Sequence, residues 1–408
     1  MKTLALLVDG GPAPGINAVI AAATIEARNH GVRVIGCYDG FRWLMEGDPH
    51  RITELEIADV SRAHFEGGSM LRTSRANPAA EAAVTRRVAE TLRQLGVDAL
   101  LVIGGNDSTF SAARLAAAAP GLQVAHVPKT IDNDVALPSD VVTAGFTTAC
   151  AVGKDLVRNL MTDAATTDRW FIVTVMGRHA GHLALAIGSA AAATLTVIGE
   201  EFGDRRISVD HLAGVLEGAI IKRHAQGREH GVAILAEALA ARLDGAAPDS
   251  LERDPHGNVR LADLELGRLL KERVTHSLQA RDVPVRISVK DLGYELRCAP
   301  PGAHDLQYAR SLGYWAARYL LDGGTGAMVS IQAGRLVPIP FESLLEPATG
   351  RPRVRYVDVA SEMYQTMLAY MIRLRPMDFL PENVGVLAES ANLSEAEFVA
   401  RFRPLAAA

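Results

Sequence analysis

Pro128-Lys129-Thr130-Ile131-Asp132-Asn133-Asp134 follows directly on the apolar run Val124–Val127. A short apolar run closed by a polar turn predicts a buried strand, and open α/β sheets collect ligands at the carboxyl ends of their strands. The heptapeptide places two carboxylates around an amide, with a lysine three residues before the first acid. That set suits phosphoryl transfer: one acid takes a hydroxyl proton, another holds a metal, and the cation neutralises phosphate oxygens. An Asp/Asn turn carrying a solvated lysine explains the same seven residues equally well. The neighbouring segments decide between them.

Towards the N-terminus, Leu4–Val8 reads as a fully buried strand, followed by Asp9-Gly10-Gly11-Pro12-Ala13-Pro14-Gly15 and a helical pattern over Ile16–Arg28. Strand, glycine turn and helix together offer free backbone N–H groups to an anion without a charged side chain. The pattern is neither G-x-G-x-x-G nor a P-loop, so neither a dinucleotide fold nor a Walker site is supported; a plain tight turn remains the simpler reading of this segment alone. Val32–Tyr38 is a second strand. Glu66-Gly67-Gly68-Ser69 is a loop, and Arg72 and Arg75 after it either clamp phosphates or form a solvated face. Ala79–Leu95 reads as a helix. Asp98–Ile103 is a further apolar strand, closed by Gly104-Gly105-Asn106-Asp107-Ser108 and a helix over Thr109–Ala118. A carboxylate at that turn is an odd choice for a phosphate cradle. It makes sense for metal coordination, for rejection of a longer phosphate chain, or as a simple helix N-cap.

Towards the C-terminus, Gly145–Asp163 carries a helical apolar stripe, and Arg169 precedes the strand Phe171–Val175. Met176-Gly177-Arg178-His179-Ala180-Gly181-His182 follows; the two histidines lack a third ligand and read as structural. Thr194–Ile198, Val232–Leu235 (ending at Glu237) and Val285–Val289 are further strands. Strands alternating with helices imply parallel βαβ units. Asp244–Asn258, rich in Pro, Gly and charge, reads as an exposed excursion. Asp305–Leu321 is helical, and the tail beyond Met363 is helical without a chemical motif.

With 408 residues, 49% hydrophobic and 22% charged, the chain has the composition of a globular protein of two or three domains. Its formal charge of -5 argues against nucleic acid or an anionic membrane as partner, so any phosphate site has to be built locally. Three widely spaced cysteines, Cys37, Cys150 and Cys298, give neither a disulfide framework nor a zinc site and fit a reducing cytoplasm. Leu4–Val8 is too short for a signal peptide, and the uncharged stretch Leu183–Gly199 is too short and too rich in small residues for a membrane span. It reads as a buried helix running into a strand. Gly-x-Ser-x-Gly is absent.

Together these segments resemble the phosphofructokinase family, in register from the first strand to about Phe341. The resemblance rests on Gly10–Asn17, Gly104–Asp107, Pro128–Asp134, Met176-Gly177-Arg178, and Leu292-Gly293-Tyr294 with Arg297. It implies two doubly wound, mostly parallel α/β domains with the active site in the cleft between them. Residues 1–140 plus about 290–350 would form the phosphoryl-donor domain, 141–289 the sugar-phosphate domain and 351–408 a C-terminal helical segment. Asp132 would be the base that deprotonates the sugar C1 hydroxyl, with Lys129, Thr130 and Arg178 completing the catalytic set. Gly11, Pro12, Arg75, Asp107 and Lys129 would meet the donor. The sugar phosphate would be held by Thr130, Asp132, Met176, Gly177, Arg178, Glu237, Tyr294 and Arg297, and by Arg169 reaching across from a second subunit of a homodimer or homotetramer. The family's further basic residue before Tyr294 falls near Ser288 here, leaving Arg286 or Lys290 to supply it. Mg²⁺ would be held by Asn106, Asp107 and Asp134.

Two positions choose the donor. ATP-using members have glycine where Asp107 and Lys129 stand, whereas pyrophosphate-using members resemble this chain at both. A carboxylate and a long side chain fill the space an α-phosphate needs, and the carboxylate repels it. The expected reaction is therefore phosphoryl transfer from pyrophosphate to fructose 6-phosphate, run in either direction of glycolysis. An ATP-dependent kinase, an enzyme that also accepts sedoheptulose 7-phosphate, and a weakly catalytic regulatory subunit are the rivals. Asn106, standing where many members have an aspartate, is the one hint of the last.

Overall fold

The computed structural model describes residues 1–244, 252–259 and 261–406. The chain forms two compact units: Met1–Ala149 with Arg253–Asn258 and Tyr294–Arg355, and Cys150–Glu252 with Val259–Gly293 and Tyr356–Ala408. In chain order the strands are β1 (Thr3–Val8), β2 (Arg33–Cys37), β3 (Ile52–Glu54), β4 (Ala99–Gly104), β5 (Gln123–Pro128), β6 (Trp170–Val175), β7 (Leu195–Val197), β8 (Gly231–Ala236), β9 (Ile287–Leu292), β10 (Ala327–Gln332) and β11 (Arg335–Pro340).

The first unit holds a seven-stranded sheet in the order β11-β10-β5-β4-β1-β2-β3. Its centre is parallel, and its two edge pairs, β10–β11 and β2–β3, are antiparallel. Both faces are covered, which is why the central strands read as unbroken apolar runs rather than alternating ones. Leu4, Leu6 and Val8 of β1 join Leu101 and Ile103 of β4 in one core under the helices Ile16–Asn29 and Ala303–Leu321. Ala5, Leu7, Leu100 and Val102 face the opposite core under Ala82–Gln94 and Asn106–Ala118. The hairpin β10–β11 was not legible as strands; Pro338 and Pro340 remove ladder donors, which an edge strand tolerates.

Asp305 is a buried tie in this unit, 0% exposed. Its carboxylate accepts the N–H of Gly145 (3.0 Å) and of Thr148 (2.6 Å) and the hydroxyl of Thr147 (2.7 Å), closing the start of the helix Phe146–Thr167. Asp305→Ala leaves two buried N–H groups and a hydroxyl without their acceptor. It should lower unfolding stability by about 3 kcal/mol, measurable in a denaturant titration.

The second unit holds a wholly parallel sheet, β7-β8-β6-β9. The last strand was expected over Val285–Val289 but runs three residues further, to Leu292, which brings Lys290 into it. The C-terminal residues belong to this core: Leu374, Phe379, Val384, Leu387, Phe398 and Phe402 pack with Trp170, Ile172, Leu195 and Leu235. The amphipathic turns of the tail thus supply a missing layer over the sheet. Among the described residues no helix is long and apolar enough to cross a membrane.

Candidate active site

Register decides which loops meet. Val8 pairs with Ile103 and Gly104 with Pro128, so β1, β4 and β5 end level and release three adjacent loops at one edge of the sheet. Asp9 N–H donates to the Ile103 carbonyl (2.9 Å) and Lys129 N–H to the Gly104 carbonyl (2.8 Å), holding the loop roots together.

After β1 the chain turns through Gly10, which has φ +83°, a conformation that favours glycine. Beneath this turn lies Lys129, 1% exposed. Its ammonium donates to the carbonyls of Asp9 (2.9 Å) and Gly11 (2.5 Å). Sequence reading placed this amine towards the donor. The structure shows it pinning the glycine turn from below through those two carbonyls. Above the turn, a Cβ on Gly11 would come within 3.2 Å of the Arg297 guanidinium carbon, so Arg297 lies against the donor loop. Arg297 also stacks over the exposed Tyr294 ring at 5.3 Å, and both residues belong to the first unit. Asn17, in the helix that follows, ties down the glycine loop after Phe65 by donating to the Glu66 carbonyl (3.1 Å) and accepting the Met70 N–H (2.9 Å).

After β4 the helix begins at Asn106, three residues earlier than expected, and so takes Asn106 and Asp107 into its first turn. Gly105 has no side chain to cap it, and Asp107 is an acid in the positive end of the helix rather than its cap. Gly104 has no room for a side chain, since a Cβ there would stand 2.1 Å from Ser108 Oγ. That hydroxyl donates to Asp9 Oδ2 (2.8 Å).

After β5, Asp132 N–H donates to Thr130 Oγ1 (3.1 Å) and Asn133 takes φ +55°. Asp132 is half-buried, whereas Asp134 is 5% exposed. Arg355 clamps this loop. Its guanidinium donates to the Asn133 side chain and carbonyl and to the carbonyls of Pro138 (2.8 Å) and Val141 (2.7 Å), while its N–H donates to the Asp134 carbonyl (2.8 Å). Asn106 Nδ2 also donates to that carbonyl (3.2 Å). Arg355 carries no motif and was invisible in the sequence; Ser108 and Asp9 read as turn residues, with nothing to show the bond between them.

The charges act on one another. Burial, then Asp132 and more weakly Asp107, hold the Asp134 carboxyl well above the usual range, against the Asn106 amide, which pulls it down. Burial pushes Lys129 down to about 8; Asp9 and Asp132 raise it, and Arg297 and Arg75 lower it further. Asp9 is pushed up to about 7 by burial, opposed by Ser108 and Lys129. For this pair burial wins on both sides, because the ammonium bonds carbonyls and not the carboxylate. Because its folded pKa lies above the unfolded 3.8, Asp9 contributes stability that is fully present below pH 3.8 and lost as pH rises through about 7. Asp9→Asn should therefore gain on the wild type between pH 4 and 8, by up to on the order of 4 kcal/mol, in unfolding titrations at each pH. A constant difference across that range would contradict this.

In the second unit, β6, β8 and β9 also end level, with Val175 paired to Ala236 and to Leu292. Gly177 N–H donates to Glu237 Oε2 (3.1 Å), which brings the ends of β6 and β8 together. A Cβ on Gly293 would lie 2.7 Å from Met176 Cε, so the methionine packs on that glycine. Arg178 is half-buried beside them. Lys290 is exposed and pairs with Val173, two positions short of the strand end. Arg169 precedes β6, its Nε donating to Thr167 Oγ1 (2.8 Å) with Asp163 at 3.8 Å.

Among the described residues no group of three or more His, Cys, Asp or Glu is gathered to hold a metal. Mg²⁺ needs less, since it commonly takes one or two carboxylates with substrate phosphates and water. The carboxyl of Asp134, raised by burial and by two neighbouring acids, is the environment a cation relieves, so the residues fit that ion.

Two mostly parallel sheets with acids, an amine and glycine turns at the strand ends form the class of site that suits phosphoryl transfer. The phosphofructokinase family model matches residues 3–320, and the chain belongs to that family. It is 46% identical over 414 residues to the pyrophosphate–fructose 6-phosphate 1-phosphotransferase of Thermotoga maritima, covering 98% of both chains. It is 45% identical to the protein of the same name from Naegleria fowleri, covering 99% of this chain and 96% of that one. The solved structure of a pyrophosphate-dependent phosphofructokinase from Nitrosospira multiformis matches 94% of this chain and 96% of its own with a TM-score of 0.70; at 16% identity it shows the shared fold.

Proposed function

We propose that this chain transfers a phosphoryl group from pyrophosphate to the C1 hydroxyl of fructose 6-phosphate, giving fructose 1,6-bisphosphate and phosphate, reversibly. The observation that carries the reading is the meeting, at one sheet edge of the first unit, of Asp132, Asp134, Asp107 and Lys129 on adjoining loops, each felt electrostatically by at least one other. The full-length similarity to two proteins named for that reaction supports it.

Asp132 accepts the C1 hydroxyl proton as that oxygen forms its bond to phosphorus, and the bond from phosphorus to the bridging oxygen of pyrophosphate breaks. Thr130 contacts the phosphoryl in transit, while Gly11, Pro12, Arg75, Asp107 and Lys129 shape the donor side and Arg297, lying against the Gly11 turn, serves the sugar phosphate. Asp134, Asp107 and Asn106 would hold Mg²⁺, which would supply charge neutralisation on the phosphates. Met176, Gly177, Arg178, Glu237, Tyr294 and Lys290 serve the sugar phosphate, with Arg169 contributed by a second copy in a homo-oligomer. Rate enhancement then comes from positioning and electrostatics rather than covalent chemistry. The three widely spaced cysteines, Cys37, Cys150 and Cys298, support a cytoplasmic setting.

The test is purified protein with fructose 6-phosphate and Mg²⁺, offered pyrophosphate or ATP separately. Turnover with pyrophosphate and little with ATP is expected. Turnover with ATP alone would establish the kinase rival, and none with either donor the regulatory one.

A further inference from the structure

We propose that Asn258, carried on the turn Asp254–Asn258, is a positioning residue for the pyrophosphate donor: it fixes the orientation in which Asp107 shapes the donor side of the site. The inference rests on the function proposed above.

This stretch was expected to be an exposed excursion. Residues 245–251 lie outside the described residues, but Arg253–Asn258 belongs to the first unit and Asp254 is buried. The turn is closed by its own bonds: Asp254 N–H to the Asn258 carbonyl (2.9 Å), Gly257 N–H to the Asp254 carbonyl (2.8 Å), and His256 and Asn258 N–H to Asp254 Oδ1 (3.0 Å each). Asn77 Nδ2 donates to the Pro255 carbonyl (3.1 Å) and anchors the turn beside the loop that carries Arg75. None of these bonds uses the Asn258 side chain.

That side chain instead donates from Nδ2 to Asp107 Oδ2 at 3.1 Å and stands 3.4 Å from Asp254 Oδ2. Ionised carboxylates only accept, so both neighbours demand the NH₂ side of the amide, and its orientation follows from chemistry. One amide nitrogen thereby gives a hydrogen to each of two acids that repel one another. Asp254 in turn lies 3.9 Å from Arg75, so a single turn touches two groups assigned to the donor. The choice of an amide is informative. A lysine at position 258 would hold Asp107 by neutralising it; the amide holds it and leaves its negative charge intact, which discrimination against a longer phosphate chain requires.

The experiment compares four proteins, the wild type, Asn258→Ala, Asp107→Gly and the double variant, with pyrophosphate and with ATP. Asn258→Ala should raise the KM for pyrophosphate about tenfold, the worth of one hydrogen bond to a charged group. Its kcat, its KM for fructose 6-phosphate and its melting temperature should stay at wild-type values. In the Asp107→Gly background the same change should move the pyrophosphate KM by less than about twofold, because the residue it acts through is gone. An unchanged KM in Asn258→Ala, or the full loss persisting without Asp107, overturns the proposal. If the alanine variant melts early, Asn258→Leu, which keeps the size of the side chain and lacks the donor, takes its place in the same cycle. Wild-type protein inert towards pyrophosphate would refute the underlying function instead, and that arm is read first.

Discussion

Asp132→Ser should lower kcat with pyrophosphate by roughly 10²- to 10⁴-fold, the range a positioned general base contributes. The KM for fructose 6-phosphate should hardly move. Serine keeps the backbone bond from residue 132 to Thr130 Oγ1, and Arg355 continues to hold Asn133 and the carbonyls beyond it, so the loop keeps its shape. What is lost is the acceptor for the C1 hydroxyl proton. A fall confined to KM would make Asp132 a binding group and move the base elsewhere.

The second large effect concerns donor choice. Asp107→Gly removes a carboxylate from the first turn of its helix, and Lys129→Gly removes a buried ammonium from beneath the Gly10–Gly11 turn. Together they should shift the ratio of ATP to pyrophosphate turnover towards ATP by about a hundredfold or more, the worth of relieving a like-charge contact of several kcal/mol. The two changes should not contribute alike. Asp107→Gly opens room and removes repulsion, whereas Lys129→Gly leaves the Asp9 and Gly11 carbonyls without their donor and should chiefly weaken use of pyrophosphate. A ratio that stays put in the double variant would point to an ATP kinase with incidental side chains at both positions.

Much of this was legible because the chemistry sits on turns. The heptapeptide from Pro128, the glycine turns after β1 and β4, and Met176-Gly177-Arg178 each announce a strand end by composition. Parallel pairing then brings such ends together without any long-range information. Helix starts were less legible: Asn106 and Asp107 looked like turn residues because short polar side chains favour turns, and packing of the helix drew them in. Least legible were the groups that act across long sequence separations. Arg355, Asp305 and Asn258 lie 222, 160 and 151 residues from the partners Asn133, Gly145 and Asp107 and have no local pattern to betray them. Lys129 shows the converse case: the sequence set it beside the acids, but only the fold revealed that its ammonium bonds carbonyls.

Arg355 also has a bearing on how the protein comes into being at the ribosome. Translation delivers Asp132 and Asp134 early, but the guanidinium that buttons down their loop comes more than two hundred residues later. Strand β10, which flanks β5, is likewise a late arrival. Closing such distant contacts is slow, and domains tend to complete as their last members emerge. A nascent chain therefore carries the loop of Asp132 and Asp134 unfastened until Arg355 has emerged and reached it.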